Sequence, residues 1–156
     1  MKKSKTKKII LIVAVVAVLG AIYPMYLFFM PHRDVQQTEV FATLSAKQLV
    51  DEYLKDYTAA NNKYLAEDGD SKVLIIKGVI ASISEDQNNQ TVILLKDAGE
   101  NAGVSCTFLP EATKRIKNLK PGEKIKVKGF ITLGASYDED MEEYEDVNLM
   151  NCDIVK

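Results

Sequence analysis

The feature that most constrains this chain is a run of 22 residues, positions 9–30, that carries no charge. An apolar stretch of about 20 residues, wound as a helix, matches the hydrocarbon thickness of a bilayer. A helix also satisfies its own backbone polar groups, which lipid cannot do. Lys2, Lys3, Lys5, Lys7 and Lys8 precede the run with no acidic residue among them. By the positive-inside rule they hold the N-terminus in the cytoplasm and send the following chain across. Tyr23, Tyr26, Phe28 and Phe29 crowd the outer end, where aromatic rings suit the lipid–water boundary. Pro24 removes a helix donor and kinks or ends the helix there. The expected product is a single-pass membrane protein. It has a basic cytoplasmic tail (1–8), a signal-anchor helix (9–30), a linker (31–43) and a periplasmic or extracellular domain (44–156). The alternative is a cleaved signal peptide, with its apolar core at 9–19 and small residues at Gly20 and Ala21. Leu27, Phe28, Phe29 and Met30 keep the chain apolar beyond such a cut, which favours the anchor. The first cysteine is Cys106, so no lipid-bearing cysteine is expected after the run.

About 120 residues follow the run, enough for one small domain with its own core. They hold all 22 acidic residues and 15 of the 20 basic ones, a deficit of seven positive charges. Such a domain repels nucleic acid phosphates and anionic lipid headgroups. The chain has one histidine, His32, at the membrane exit, and no tryptophan. Zinc sites lean on His and Cys, and a Ser-His-Asp triad needs a placed His. No cofactor and no catalytic constellation is therefore expected.

Within the domain the hydrophobic period changes once. Ser45 and Gln48 form a Ser-x-x-Gln capping box, with Leu44 and Leu49 placed as a hydrophobic staple. Leu49, Val50, Tyr53, Leu54, Tyr57, Ala60, Tyr64 and Leu65 then recur at steps suited to one helical face. The spacing predicts one amphipathic helix over 46–65, inside a helical segment 44–66. Its tyrosines would either pack on a sheet or wall a ligand. After Gly69 the period falls to two. Strands are expected at 72–84, 91–96, 103–109, 123–133 and 147–155, with a short basic helix at 111–119. Gly78 interrupts the first strand and reads as a bulge or bend.

Three strands, a helix and two strands over 72–156 is the order of an OB-fold barrel. The expected class is thus mainly β with α: a five-stranded OB-fold-like barrel preceded by an amphipathic helix, plus the N-terminal transmembrane helix. The helix bearing Tyr57, Asn61 and Tyr64 is one of several matching motifs. Others are Ile76-Lys77-Gly78-Val79-Ile80, Val104-Ser105-Cys106-Thr107-Phe108 and Asn151-Cys152. With the run from Lys120 to Gly129, they resemble the tRNA_anti-like OB-fold proteins. These are small bacterial envelope proteins, often lipoproteins, and the resemblance covers about 44–156. It implies a fold but no catalytic residues, and this chain departs from it by using a membrane helix in place of a lipidated cysteine.

Four groups of residues are candidate sites. Cys106 is in phase with Val104 and Phe108, and Cys152 with Met150 and Ile154, so both sulfurs face the barrel interior. They would either form a disulfide, allowed outside the cytoplasm, or stay as two small core thiols. Seven carboxylates lie at 138–146. Asp138, Asp140, Glu142 and Glu143 are the weak candidates for a hard cation, against a solvated loop. Tyr137 and Tyr144 frame that loop. Lys114, Arg115, Lys117, Lys120, Lys124, Lys126 and Lys128 make a basic side. Lys124, Lys126, Lys128, Tyr137 and Tyr144 together form the expected contact face. The partners expected are the membrane, through residues 9–30, and an envelope protein or small ligand. Binding of a nucleic acid or oligosaccharide through the barrel face is the alternative. Nucleic acid is disfavoured, because single-strand binders pair cations with exposed aromatics on the central strands.

Overall fold

The computed structural model describes Gly20, residues 35–65 and residues 71–155. Apart from Gly20, the expected span at 9–30 lies outside the described residues. Among those described, no helix is long and apolar enough to cross a membrane. From Val35 onward the described chain forms one compact unit.

The chain enters through β1 (Ala42–Ser45), which lies parallel to β2 (Val73–Glu85). The sequence reads as a linker over 31–43, and the structure corrects its end, which lies in β1. Four residues are too few to show a period, and the strand exists because its partner offers a free edge. Ser45 then caps α1 (Ala46–Lys55): its hydroxyl accepts from the Gln48 N–H, and the Gln48 side chain accepts from the Ser45 N–H. The single expected helix breaks at Asp56, whose backbone is extended. Asp56 closes α1 by donating its N–H to Glu52 O, and opens α2 (Tyr57–Tyr64) by accepting from the Ala59 N–H. A carboxylate that can cap a new helix competes with continuation of the old one. Lys63 and the Tyr64 hydroxyl both donate to Glu52 at 2.8 Å, joining the two helices.

The sheet closes through β2. Its first part, Val73 to Val79, pairs antiparallel with β5 (Lys124–Leu133), and its second, Ile80 to Glu85, with β3 (Thr91–Leu95). β3 pairs with β4 (Val104–Phe108), β4 runs parallel to β8 (Val147–Ile154), and β8 returns to β5. The result is a closed five-stranded barrel of OB-fold type. Leu74, Ile76, Ile80, Ile93, Leu95, Val104, Phe108, Val127, Ile131 and Leu149 fill it, joined by Leu49, Tyr53 and Tyr64 from the helices. The expected helix at 111–119 is shorter: a 3-10 turn (Pro110–Ala112) and α3 (Thr113–Ile116), which bury Ala112 and Ile116.

Two irregularities differ from expectation. The register of β2 against β3 shifts between Ile80 and Ser82, past Gly78. Gly78 serves close approach instead: a Cβ there would stand 2.9 Å from Leu95 Cβ and 3.3 Å from Ala46 Cβ. In β8 the register slips around Asn151, which has φ 52. Asn tolerates that left-handed conformation. The bulge breaks the expected phase, so Met150 is half-buried while Cys152 is fully buried.

Gly78→Val should therefore cost about 1–3 kcal/mol by overpacking, read as a lower urea midpoint. An unchanged midpoint would mean that Leu95 and Ala46 can yield. A second expectation concerns acid. Burial works to raise the Glu52 carboxyl, but the hydrogen bonds from Lys63 and Tyr64 outweigh it and hold Glu52 below its ordinary value. The folded state thus binds that proton more weakly than the unfolded chain. The resulting stabilisation is present above pH 4.5 and fades as pH falls through the depressed value. Glu52→Gln should lower the urea midpoint at neutral pH and reduce its fall on acidification.

Candidate functional site

The acidic stretch between β5 and β8 is not a bare loop. Ser136–Asp138 (β6) and Glu143–Glu145 (β7) form a hairpin in which Tyr137 opposes Tyr144. Their ring centroids lie 4.8 Å apart, and cross-strand aromatic pairs of this kind stabilise a hairpin. Asp138 Oδ1 accepts from the Asp140 and Met141 N–H groups, and Glu142 takes φ 55 to complete the turn. Tyr137, Tyr144 and Met141 are nonetheless 48%, 41% and 65% exposed, and Leu133, at the end of β5, is 39% exposed. An exposed apolar group thus stands among carboxylates. Those carboxylates are not gathered for a cation. Among the described residues no three His, Cys, Asp or Glu side chains are placed to hold a metal ion. Asp138 and Glu143 face each other across the hairpin, Asp140 and Glu142 lie in its turn, and Asp138 Oδ1 is taken up by backbone N–H groups.

The expected contact face is divided. Lys128 is 8% exposed and donates to Gln36 O and Thr38 O at 2.9 and 2.8 Å, so it anchors the incoming segment and offers nothing to a partner. Lys124 and Lys126 lie at the start of β5, whereas the tyrosine hairpin follows its end. The basic side also does structural work: the Arg115 guanidinium forms a fork with Asp153, tying α3 to β8. Lys114, Lys117, Lys124 and Lys126 border two clefts that share Leu119 on their walls, and Lys120 lines neither. One, of about 550 Å³, is lined by Lys77, Lys124 and Lys126; the other, of about 680 Å³, by Lys114 and Lys117. Lys77 is not among the candidate contact residues read from the sequence, where it stands only inside a family motif. The only hint was its place in an alternating strand, and the register was needed to set it beside the other lysines.

On β3 and β4, the half-buried Val92, Leu94, Ser105 and Thr107 alternate with the core residues. They offer neither an aromatic ring nor a cation. Cys106 and Cys152 are both buried and both free thiols. Burial, with a hydrogen bond to the Cys106 side chain, pushes the Cys152 thiol well above its ordinary range, so Cys152 is not a ready nucleophile. Titration with Ellman's reagent, without reductant, should find no reactive thiol in the native protein and two after denaturation. None after denaturation would mean that the pair is bonded.

The sequence pattern of the tRNA_anti-like family matches residues 1–141. No curated protein matches the chain. Among solved structures, a lipoprotein of Klebsiella pneumoniae, named as a candidate nucleic acid-binding protein, is 18% identical at a TM-score of 0.54. The alignment covers 81% of this chain and all of that one. The likeness is one of fold. The S. pombe Stn1–Ten1 complex is 21% identical at a TM-score of 0.36, covering 54% of this chain and 58% of that one. An OBody bound to hen egg-white lysozyme is 17% identical at 0.38, covering 55% and 96%.

Proposed function

This chain belongs to the tRNA_anti-like family, and on that premise we propose that it is a membrane-tethered, non-enzymatic binding module of the cell envelope. The uncharged run at 9–30 behind five lysines supports the tether and its direction. The observation that carries the binding role is the Tyr137–Tyr144 pair, two aromatic rings in contact and left exposed on the hairpin, with exposed Met141 in its turn. Contiguous exposed apolar groups mark interaction surfaces, and Tyr and Met are enriched in them. The connection between the last two strands of an OB-fold commonly borders its ligand. The surrounding carboxylates select a basic, apolar-bearing polypeptide and repel phosphodiesters.

Single-stranded nucleic acid is the second reading. The lysine-lined clefts favour it, as does the name of the Klebsiella lipoprotein. Against it, the outer residues of β3 and β4 lack the aromatic platform that sequence-tolerant binders use.

Two measurements test these readings. Gln87→Cys, in the exposed turn between β2 and β3, should react with a membrane-impermeant maleimide in intact spheroplasts, while buried Cys106 and Cys152 stay silent. Labelling only after lysis would put the barrel in the cytosol and overturn the tether's direction. Fluorescence anisotropy with labelled single-stranded oligonucleotides should show no strong binding near physiological salt. A tight complex whose log affinity falls steeply with log salt would instead establish the second reading.

A further inference from the structure

β5 accompanies β2 only as far as Val79, and the turn before β5 holds Ile80 through Gly122 and Glu123. Beyond Ile80, β2 keeps β3 on one side, and among the described residues no strand pairs with its other side. The cleft of about 680 Å³ lies along this stretch, lined by Ile83, Ser84 and Glu85 together with residues of α3 and Leu119. Ile83 pairs with Ile93 and so shares the face of that core residue, yet it is 37% exposed. Ile116 is buried and Leu119 half-buried beside it, which gives the cleft an apolar lining. Lys114 and Lys117 are exposed on the same lining, three positions apart at α3 and its C-cap. Residues at that spacing share one side of a helix. Among the described residues neither lysine forms an ion pair. Glu85 is the one carboxylate set against the two.

The chain also carries a segment of the opposite character. Alternation divides the β6–β7 hairpin into a face with Tyr137 and Tyr144 and a face with Ser136, Asp138, Glu143 and Glu145. Its strands pair only with each other, so each keeps an open outer edge. Within one chain the hairpin and the cleft stand at opposite ends of β5. That strand starts beside Val79, runs antiparallel to β2 and away from Ile83, and delivers the hairpin after Leu133, about 30 Å along the strand. A basic cleft with apolar walls is the kind of surface that the hairpin's carboxylates and rings select, and a second copy of the chain supplies it.

We propose that the acidic hairpin of one copy docks in the basic cleft of another. Tyr137 and Tyr144 lie against Ile83 and Leu119, and the carboxylates turn toward Lys114 and Lys117, away from Glu85. The proposal rests on the reading of the hairpin as a docking element and names its partner. The open edge of β2 beyond Ile80 and the open edges of the hairpin also allow main-chain pairing, the mode by which a strand adds to a sheet. The two surfaces differ and occupy opposite ends of the molecule's β5, so the contact runs head to tail and can propagate.

The test follows the full chain in neutral detergent by sedimentation velocity over a concentration series. Wild type should associate reversibly, and more weakly as salt is raised. Lys114→Glu with Lys117→Glu should weaken association about tenfold or more, as should Glu143→Lys with Glu145→Lys. All four substitutions in one chain restore opposite charges to the two surfaces and should restore association. Each variant is read where it keeps the wild-type melting temperature. A wild type that stays monomeric overturns the proposal, as does association that neither pair weakens or that the fourfold variant fails to regain. Two peptide probes separate this outcome from the fate of the hairpin reading. A peptide of alternating lysine and leucine should bind wild type, compete with association and be lost with Glu143→Lys and Glu145→Lys. A monomeric wild type that still binds this peptide overturns the self-docking and leaves the hairpin reading standing; one that neither associates nor binds it overturns both. An unrelated acidic, tyrosine-bearing peptide that binds a monomeric wild type, and is lost with Lys114→Glu and Lys117→Glu, overturns the proposal in favour of a foreign acidic segment in the cleft.

Discussion

The structure depends on the double pairing of β2. One continuous strand must hydrogen-bond to β5 along its first half and to β3 along its second. Closure pairs the five barrel strands in a ring, and β1 covers the edge of β2 left beside Leu74 to Lys77; an unpaired edge is the usual route to aggregation in β-proteins. The register shift between Ile80 and Ser82 marks where the strand changes partners. Gly78, just before it, lets Leu95 and Ala46 approach the backbone so that α1 can seat on the sheet. The core, the position of both clefts and the exit point of the hairpin all follow from this one strand.

Charge is distributed by the same architecture. β5 carries its lysines at the start and delivers the chain to the acidic hairpin at its end. A domain that is net negative by composition therefore presents separate basic and acidic regions. Composition alone argues against any anionic partner, and the two lysine-bordered clefts show why that argument is incomplete: local potential, and not net charge, is what a bound group meets. Some of the basic side is spoken for within the fold. Arg115 fixes α3 to Asp153, and Lys128 fixes the segment leading to β1.

Much of this was legible in the residues. The capping box at Ser45 and Gln48, the strands and their order, and the inward phase of Val104, Cys106 and Phe108 are all local patterns, and the fold keeps them. Reading failed where a local pattern had to compete with a partner elsewhere. The face of Leu49 through Leu65 looked continuous, but Asp56 capped a second helix. The phase of Met150, Cys152 and Ile154 looked regular, but a bulge at Asn151 reset it. Tyr137 and Tyr144 were visible as neighbours of a charged stretch, not as partners across a hairpin.

By itself, then, the sequence determined what period and capping encode: a cap, a switch from helix to strand, a barrel's order of elements and an uncharged run of membrane length. Only the tertiary structure decided which lysines share a face. Lys77 and Lys126 are nearly fifty positions apart, and Lys126 and Lys128 only two, yet the first pair borders one cavity while the second is split between a cleft and a buried anchor. The physical reason is that strand register couples residues across the sheet, and register is set by closure of the whole barrel and not by any segment alone.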